Sequence, residues 1–350
     1  MTDSPIITDN ELVLVTGAAG FLGRSVVESL LLAGHRNVRC LVRPSGDTRA
    51  LNDLARKYGA AARVQILPGN LLSDADCERA VDGVEVIYHL AVGRSDMYAD
   101  AFLNSALTTR NLLRAAVKRG GLKRFVNVSS FSVYTNRDKA SRLLDESSPV
   151  ETEPAKRGDP YTFAKTKQDE IVAEYSRLYG VPYVIVRPGV VYGPGSMSMT
   201  NRVGIDTFGF FLHLGGFNRI PLTYVDNCAD AIVLAGVRPG VEGEVFNVVD
   251  DDLPRSWRLL RLYKKNVRRF PSIYVPHLAS YVLCRMWEWY SRHSEGQLPP
   301  AFNTRCWHAF WKRTQYSNAK VKVRLGWTPR IPSREGLSRY FDYCRERANG

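Results

Sequence analysis

The sequence predicts an α/β fold: a doubly wound parallel sheet followed by a smaller, irregular C-terminal domain. Three observations predict it. Short apolar runs alternate with amphipathic helical stretches through the first half of the chain. A glycine-rich turn joins the first strand to the first helix. Composition then changes abruptly near Pro254, where basic and aromatic residues take over. The 350 residues are too many for one ordinary core and suit a large domain with a smaller companion. With 45% apolar and 24% charged residues, the chain has a globular composition, not a disordered one.

The elements follow in order. Glu11–Thr16 is a short apolar strand, and Arg24–Gly34 places Val26, Val27, Leu30 and Leu31 on one helical face. Further strands are expected at Val38–Val42, Val64–Leu67, Val84–Leu90, Phe125–Ser129 and Val181–Arg187, with a helix over Ala101–Arg119. Strands alternating with helices imply right-handed crossovers and a sheet covered on both faces. Asn136–Pro160 is polar and reads as an exposed loop, and Val241–Val249 as a late strand. The dinucleotide-binding domain is expected over residues 1–190 with a returning segment at about 222–250. Residues 191–221 and 251–350 are expected to form the substrate domain.

The turn Thr16-Gly17-Ala18-Ala19-Gly20-Phe21-Leu22-Gly23 lies between a strand and a helix. Glycines there let the backbone approach a pyrophosphate, and the helix N-terminus offers free N–H groups. This is a Rossmann-type nucleotide site in G-x-x-G-x-x-G spacing. The second strand ends Val38-Arg39-Cys40-Leu41-Val42-Arg43, with no Asp or Glu to bind a ribose 2′-hydroxyl. Arg43 suits a 2′-phosphate, so NADP is the expected cofactor, with NAD as the alternative.

Tyr161-Thr162-Phe163-Ala164-Lys165 is a Y-x-x-x-K spacing. On a helix these two side chains share a face, and the ammonium favours the phenolate. Such a tyrosine exchanges a proton with a substrate hydroxyl. A second match, Tyr316 and Lys320, lies outside the alternating region and is read as structural. Ser129-Ser130-Phe131-Ser132-Val133-Tyr134 closes the fifth strand, where ligands of doubly wound sheets collect.

These motifs resemble those of the extended short-chain dehydrogenases/reductases, of the NAD-dependent epimerase/dehydratase type. The likeness extends to Asn70-Leu71, His89-Leu90-Ala91, Asn104, RPGVVYGPG, YVDNCADAI and KVKVRLGWTPR. It implies that Gly17, Gly20 and Gly23 form the pyrophosphate turn, with Phe21 and Leu22 closing over it. It places Asn70 and Leu71 at adenine, Leu90 and Ala91 near the nicotinamide ribose, Lys165 on that ribose and Pro188 beside the nicotinamide. Ser130, four residues before Tyr134, matches the catalytic serine better than Ser129, and Tyr161 the acid/base; Asn104 would support the neighbouring helix.

Departures narrow the activity. Dehydratases of the family resemble one another in a T-D-E triplet where this chain has Ser130-Phe131-Ser132, so water elimination is not expected. Val190 stands where sugar-nucleotide epimerases often carry an asparagine, whereas Arg219 sits where such enzymes place an arginine for the diphosphate. Ser132, Val190 and Arg219 are the substrate-side candidates. The expected enzyme is an oxidoreductase that interconverts a secondary alcohol and a ketone. Its substrate is expected to be bulky, apolar or lipid-linked. The alternatives are a nucleotide-sugar epimerase and a non-catalytic cofactor-binding regulatory module.

Charge is unevenly placed. Residues 1–254 hold 28 Lys and Arg against 30 Asp and Glu; residues 255–350 hold 20 against 5, and all six tryptophans. This last part looks like that of 3β-hydroxysteroid dehydrogenases in the family. Ile273–Tyr290 is aromatic and apolar but interrupted by Arg285 and Glu288, too mixed to span a bilayer. Tryptophan, tyrosine and nearby cations suit a peripheral membrane contact, with a packed small-domain core as the alternative. No nucleic-acid module is present, and nucleic-acid binding is not expected. The N-terminus lacks a signal-like apolar core, and the six cysteines form no C-x-x-C pair. A metal-free, cytoplasmic protein is expected, if membrane-bound then on the inner face, with homodimer contacts as in the resembling family.

Overall fold

A computed structural model describes residues 4–59, 61–93, 95–136, 142–196, 199–207, 209–294 and 302–349. Strands β1 (Val13–Thr16), β2 (Asn37–Val42), β3 (Arg63–Pro68), β4 (Val86–His89), β5 (Arg124–Val128), β6 (Tyr183–Pro188) and β7 (Val245–Val248) form one sheet. Its order is β3-β2-β1-β4-β5-β6-β7, and every neighbouring pair is parallel. The order reverses beside β1, which opens a crevice at the carboxyl ends of β1 and β4.

Period-two alternation explains why both faces are covered. Val13 and Val15 face one core, and Leu14 faces the other. Val86 and Tyr88 likewise oppose Ile87, and Val126 and Val128 oppose Phe125. On the first face, α1 (Phe21–Leu32) contributes Val26, Val27 and Leu30. On the second, α3 (Asp74–Val81) and α4 (Thr108–Arg119) contribute Ala80, Leu112 and Ala116, and α5 (Pro160–Tyr179) contributes Val172. The α2 helix (Arg49–Tyr58) buries Leu51 alone. The expected helix over Ala101–Arg119 is α4 preceded by a π-helical stretch, Phe102–Leu107.

Residues 136–160 are not the exposed loop that their polarity suggested; 137–141 lie outside the described residues. Leu144, Ser148, Glu151 and Arg157 are buried. Distant groups satisfy them: Arg305 pairs with Glu151 at 2.6 Å, and Asn303 donates to the Arg157 carbonyl at 2.8 Å. Tyr316, partly buried and stacked on Phe131, lies in a two-residue strand paired with Leu143–Leu144. Its spacing to Lys320 is therefore not helical.

Helix α6 (Val225–Val237) packs on the first face of the sheet. Beyond β7, α7 (Ser256–Asn266) buries Leu259, Leu260 and Tyr263 against Tyr340 and Phe341 of the last helix. Next come α8 (His277–His293) and α9 (Thr304–Phe310), joined by a 2.9 Å bond from the Trp307 indole to the Ser280 hydroxyl. Strand Ser272–Tyr274 pairs with Phe210–His213 in a small three-stranded sheet. Then α10 (Ala319–Leu325) returns to the first core with Val321, Leu325 and Trp327, and α11 (Ser333–Asn349) ends the described chain.

One buried amide ties these parts together. The Asn227 side chain exchanges two hydrogen bonds with the Ile331 backbone, at 2.8 Å each, and donates to Asp250 at 2.9 Å. Burial pushes the Asp250 carboxyl up to about 6, against the Asn227 and Tyr224 donors that favour its anion. The folded chain thus holds this proton more tightly than the unfolded chain, where an aspartate titrates near 3.9. The contribution is full below about pH 4 and is lost as pH rises through about 6, at most about 3 kcal/mol. We expect Asp250→Asn to remove it. Urea unfolding at pH 5 and pH 8 should show the variant gaining on the wild type by about 1.4 kcal/mol as pH rises.

Candidate active site

The glycine turn is built for close approach. Gly17 has φ +69°, and a methyl placed there would lie 3.0 Å from the Ala91 nitrogen. A methyl on Gly23 would lie 2.1 Å from the Gly17 carbonyl oxygen, so only glycine lets α1 start this close to the turn. Gly20 caps α1 with extended backbone and no side-chain cap bond. The first-turn amides are therefore left for a ligand at the positive end of the helix. The Thr16 hydroxyl fixes the facing loop: it accepts from the Ala91 N–H at 3.3 Å and bonds the His89 Nδ1 at 2.8 Å.

Around the crevice lie the other nucleotide-side candidates. Leu90 and Ala91 are partly buried directly beyond β4. Arg43 and Asn70 are exposed just past the paired ends of β2 and β3. Asn70 accepts from the Leu72 N–H at 3.0 Å, and buried Leu71 accepts from the Asn111 amide at 3.1 Å. Phe21 and Leu22 pack toward the cluster around Tyr192, Leu222 and Tyr224, and a methyl on Gly195 would press on the Phe21 ring at 2.9 Å. Pro188 is buried at the end of β6.

Asp159 starts α5, accepting from the Tyr161 N–H at 3.1 Å and the Thr162 hydroxyl at 2.5 Å. Tyr161, partly exposed, therefore sits in the first turn, and Lys165 one turn later on the same face. Lys165 is buried, and its Nζ donates to the Val128 carbonyl at 2.7 Å. That contact ties α5 to the end of β5, two residues before Ser130. Ser130 is partly exposed and its Oγ accepts from the Ser132 N–H at 3.1 Å. Ser129, by contrast, is buried and donates to Asp169 at 2.8 Å. Of the two serines, Ser130 is the one left at the surface of the crevice.

Sequence reading missed two networks beneath this site. Asp169, one turn beyond Lys165, accepts from Arg187 at 3.0 Å, Asn127 at 2.8 Å and Ser129. Burial pushes its carboxyl above the usual range, opposed by the Arg187 cation. Arg187 in turn lies over the Tyr134 ring, whose hydroxyl donates to Asn247 at 2.8 Å. The second network centres on His89, which bonds the Thr109 hydroxyl at 2.9 Å, with the Gln168 amide beside both. Burial, reinforced by the Lys165 cation, pulls His89 down to about 3, so its imidazole is neutral near pH 7.

The substrate-side candidates scatter. Ser132 is buried with an unpartnered hydroxyl, and its carbonyl accepts from Arg157. Val190 is partly exposed in a short strand paired with Leu222–Tyr224. Arg219 is exposed, reaches the Leu253 carbonyl at 3.4 Å, and bridges to Arg255. Asn104 is exposed and donates to the Asp100 carbonyl at 3.0 Å; a methyl on Gly93 would meet its Cβ at 2.4 Å.

The fold and this site define a nucleotide-dependent α/β enzyme. Residues 13–248 match the NAD dependent epimerase/dehydratase family, and the chain belongs to that family. It is 24% identical to 3β-hydroxysteroid-dehydrogenase/decarboxylase isoform 1 of Arabidopsis thaliana, over 94% of this chain and 78% of that protein. It is 26% identical to the 3β-hydroxysteroid dehydrogenase/Δ5→4-isomerase of Mycobacterium tuberculosis, over 98% and 93%. Its fold is similar to that of UDP-glucuronic acid 4-epimerase from Bacillus cereus, solved in complex with NAD. The TM-score is 0.69 at 20% identity, over 95% of this chain and 98% of that one. The uncapped α1 and the tight turn that Gly17 and Gly23 permit fit the dinucleotide that the family uses.

Removing Asp169 leaves Arg187 charged and buried. We expect Asp169→Ala to cost about 3–5 kcal/mol in chemical denaturation.

Proposed function

We propose that this protein is an NAD(P)-dependent oxidoreductase that interconverts a secondary alcohol and a ketone on a bulky, apolar or lipid-linked substrate. The observation that carries this reading is the Lys165 contact with the Val128 carbonyl. It brings Tyr161, one turn earlier, and Ser130, two residues further along the strand, to one strand end beside the glycine turn.

In this reading Gly17, Gly20 and Gly23, with Phe21 and Leu22, hold the pyrophosphate. Asn70 and Leu71 border adenine, while Leu90, Ala91 and Lys165 hold the nicotinamide ribose beside Pro188. The bound nicotinamide supplies or accepts a hydride. Ser130 orients the substrate oxygen by a hydrogen bond. Tyr161 gives that oxygen its proton, or takes it in the reverse direction, and the Lys165 cation favours the phenolate. The neutral His89 and the Asp169 pair keep α5 in place and exchange no proton with substrate. Substrate then lies between the carboxyl ends of the strands and the substrate domain expected over residues 191–221 and 251–350, near Ser132 and Val190.

Arg43, exposed on a strand end without a carboxylate, supports NADP over NAD. The two steroid-dehydrogenase relatives support a steroid-like substrate. The epimerase alternative rests on the solved neighbour and on Arg219, and Val190 weighs against it.

Tyr161→Phe should lower kcat by about a hundredfold or more with cofactor affinity unchanged. Unaltered turnover on an identified substrate would remove the catalytic assignment. A steady change in nicotinamide absorbance separates the oxidoreductase from an epimerase, which shows no net cofactor turnover. Arg43→Asp should lower kcat/KM for NADPH about tenfold or more relative to NADH, as expected for a lost charged hydrogen bond to a phosphate.

A further inference from the structure

Helix α8 is amphipathic in the wrong sense for a solvated protein. Its buried positions are Ser280, Cys284 and Ser291. Its outward side carries Leu278, Val282, Leu283, Met286, Trp289 and Tyr290, each between 46% and 74% exposed. At 3.6 residues per turn these six fall within an arc of about 140°. Ile273 and Tyr274, on the adjoining strand, are also about half exposed. No helix among the described residues is long and apolar enough to cross a membrane. The sole carboxylate of α8, Glu288, is turned to Thr304 of α9 and to Arg292.

Exposed cations lie on this helix and on the segment that leads into it. Arg285 lies on its flank, and Arg258, Arg261 and Lys265 line the exposed side of α7. Arg268 and Arg269 precede the strand carrying Ile273. All six are exposed, and none forms an ion pair with a carboxylate among the described residues.

We propose that the outward face of α8 lies in the headgroup region of an anionic bilayer, with these cations on the lipid phosphates. This deepens the functional reading above by naming the surface at which its apolar substrate is met. Amphipathic tryptophan and tyrosine settle at that depth, and each nearby cation strengthens attraction to anionic lipid. A second copy on the same face would bring the same unpaired cations against them, so charge favours lipid over self-association. The face also connects to the site: Ser280 bonds Trp307 of α9, the α9 cap Asn303 holds Arg157, and Arg157 donates to the Ser132 carbonyl.

Co-sedimentation of the full chain with phosphatidylcholine vesicles, with and without phosphatidylserine, tests this. The wild type should bind the anionic vesicles and detach as salt rises from about 0.1 to about 0.5 M. Leu278→Glu/Met286→Glu/Trp289→Glu alters only exposed side chains and should lower the vesicle partition coefficient about tenfold or more. Arg258→Glu/Arg261→Glu/Arg268→Glu should abolish the preference for phosphatidylserine. Tyr161→Phe should bind vesicles like the wild type. Wild-type protein that stays in the supernatant, or apolar-face variants that bind unchanged, would overturn the proposal. A wild-type dimer that the apolar-face variant dissociates, without vesicle binding, would assign the face to self-association instead and equally overturn it. Loss of vesicle binding leaves the Tyr161 dependence of turnover intact, whereas Tyr161-independent turnover leaves vesicle binding intact. The two readings therefore fail separately.

Discussion

The site depends on one buried carboxylate. Asp169 projects from α5 into the end of the sheet, where Asn127 and Ser129 of the β5 end and Arg187 of β6 all donate to it. An ion pair removed from water this fully is a poor source of net stability, because desolvation offsets most of its attraction. What it supplies is register. A shift of α5 along the sheet would leave a charge or several donors unpaired in a dry interior, which costs more than sliding an apolar contact. Tyr161 and Lys165 stand on that same helix, so their placement inherits this constraint.

A second buried network fixes the other wall. His89 is held neutral between two threonine hydroxyls, with Gln168 of α5 closing the group. One partner, Thr16, also holds the Ala91 N–H beside the glycine turn. The loop after β4, helix α5 and the glycine turn thus share hydrogen bonds, and the crevice between them is preorganised. The Lys165 contact with Val128 is the visible link from this scaffold to the strand end that carries Ser130.

Much of this was legible in the sequence because the signals were local. Gly17, Gly20 and Gly23 announce a turn within eight residues, and Tyr161 and Lys165 share a face by helical spacing alone. The sheet strands were placed to within a few residues because both faces are buried and the runs are apolar. Asp169, Arg187, His89 and Gln168 were not legible, since their partners lie 18 to 79 residues away and an isolated polar residue gives no sign of burial. The segment after Asn136 was misread for the same reason: Arg305 and Asn303 satisfy its polar groups from across the chain. In α8 the aromatic run stood out, yet periodicity shows that an apolar face exists, not which way it points. Trp307, Trp311 and Trp327 went inward while Trp289 went outward, so the tryptophans of this stretch divide between interior and surface.

The account stands or falls on where the phenol of residue 161 lies once a dinucleotide is in place. A crystal structure of the protein with its nicotinamide cofactor measures this directly. We expect the phosphates on the amides that open α1, and the tyrosine oxygen beside the reactive ring carbon, with Lys165 on the neighbouring ribose. A dinucleotide seated elsewhere, or a Tyr161 ring turned out of the crevice, would contradict the account.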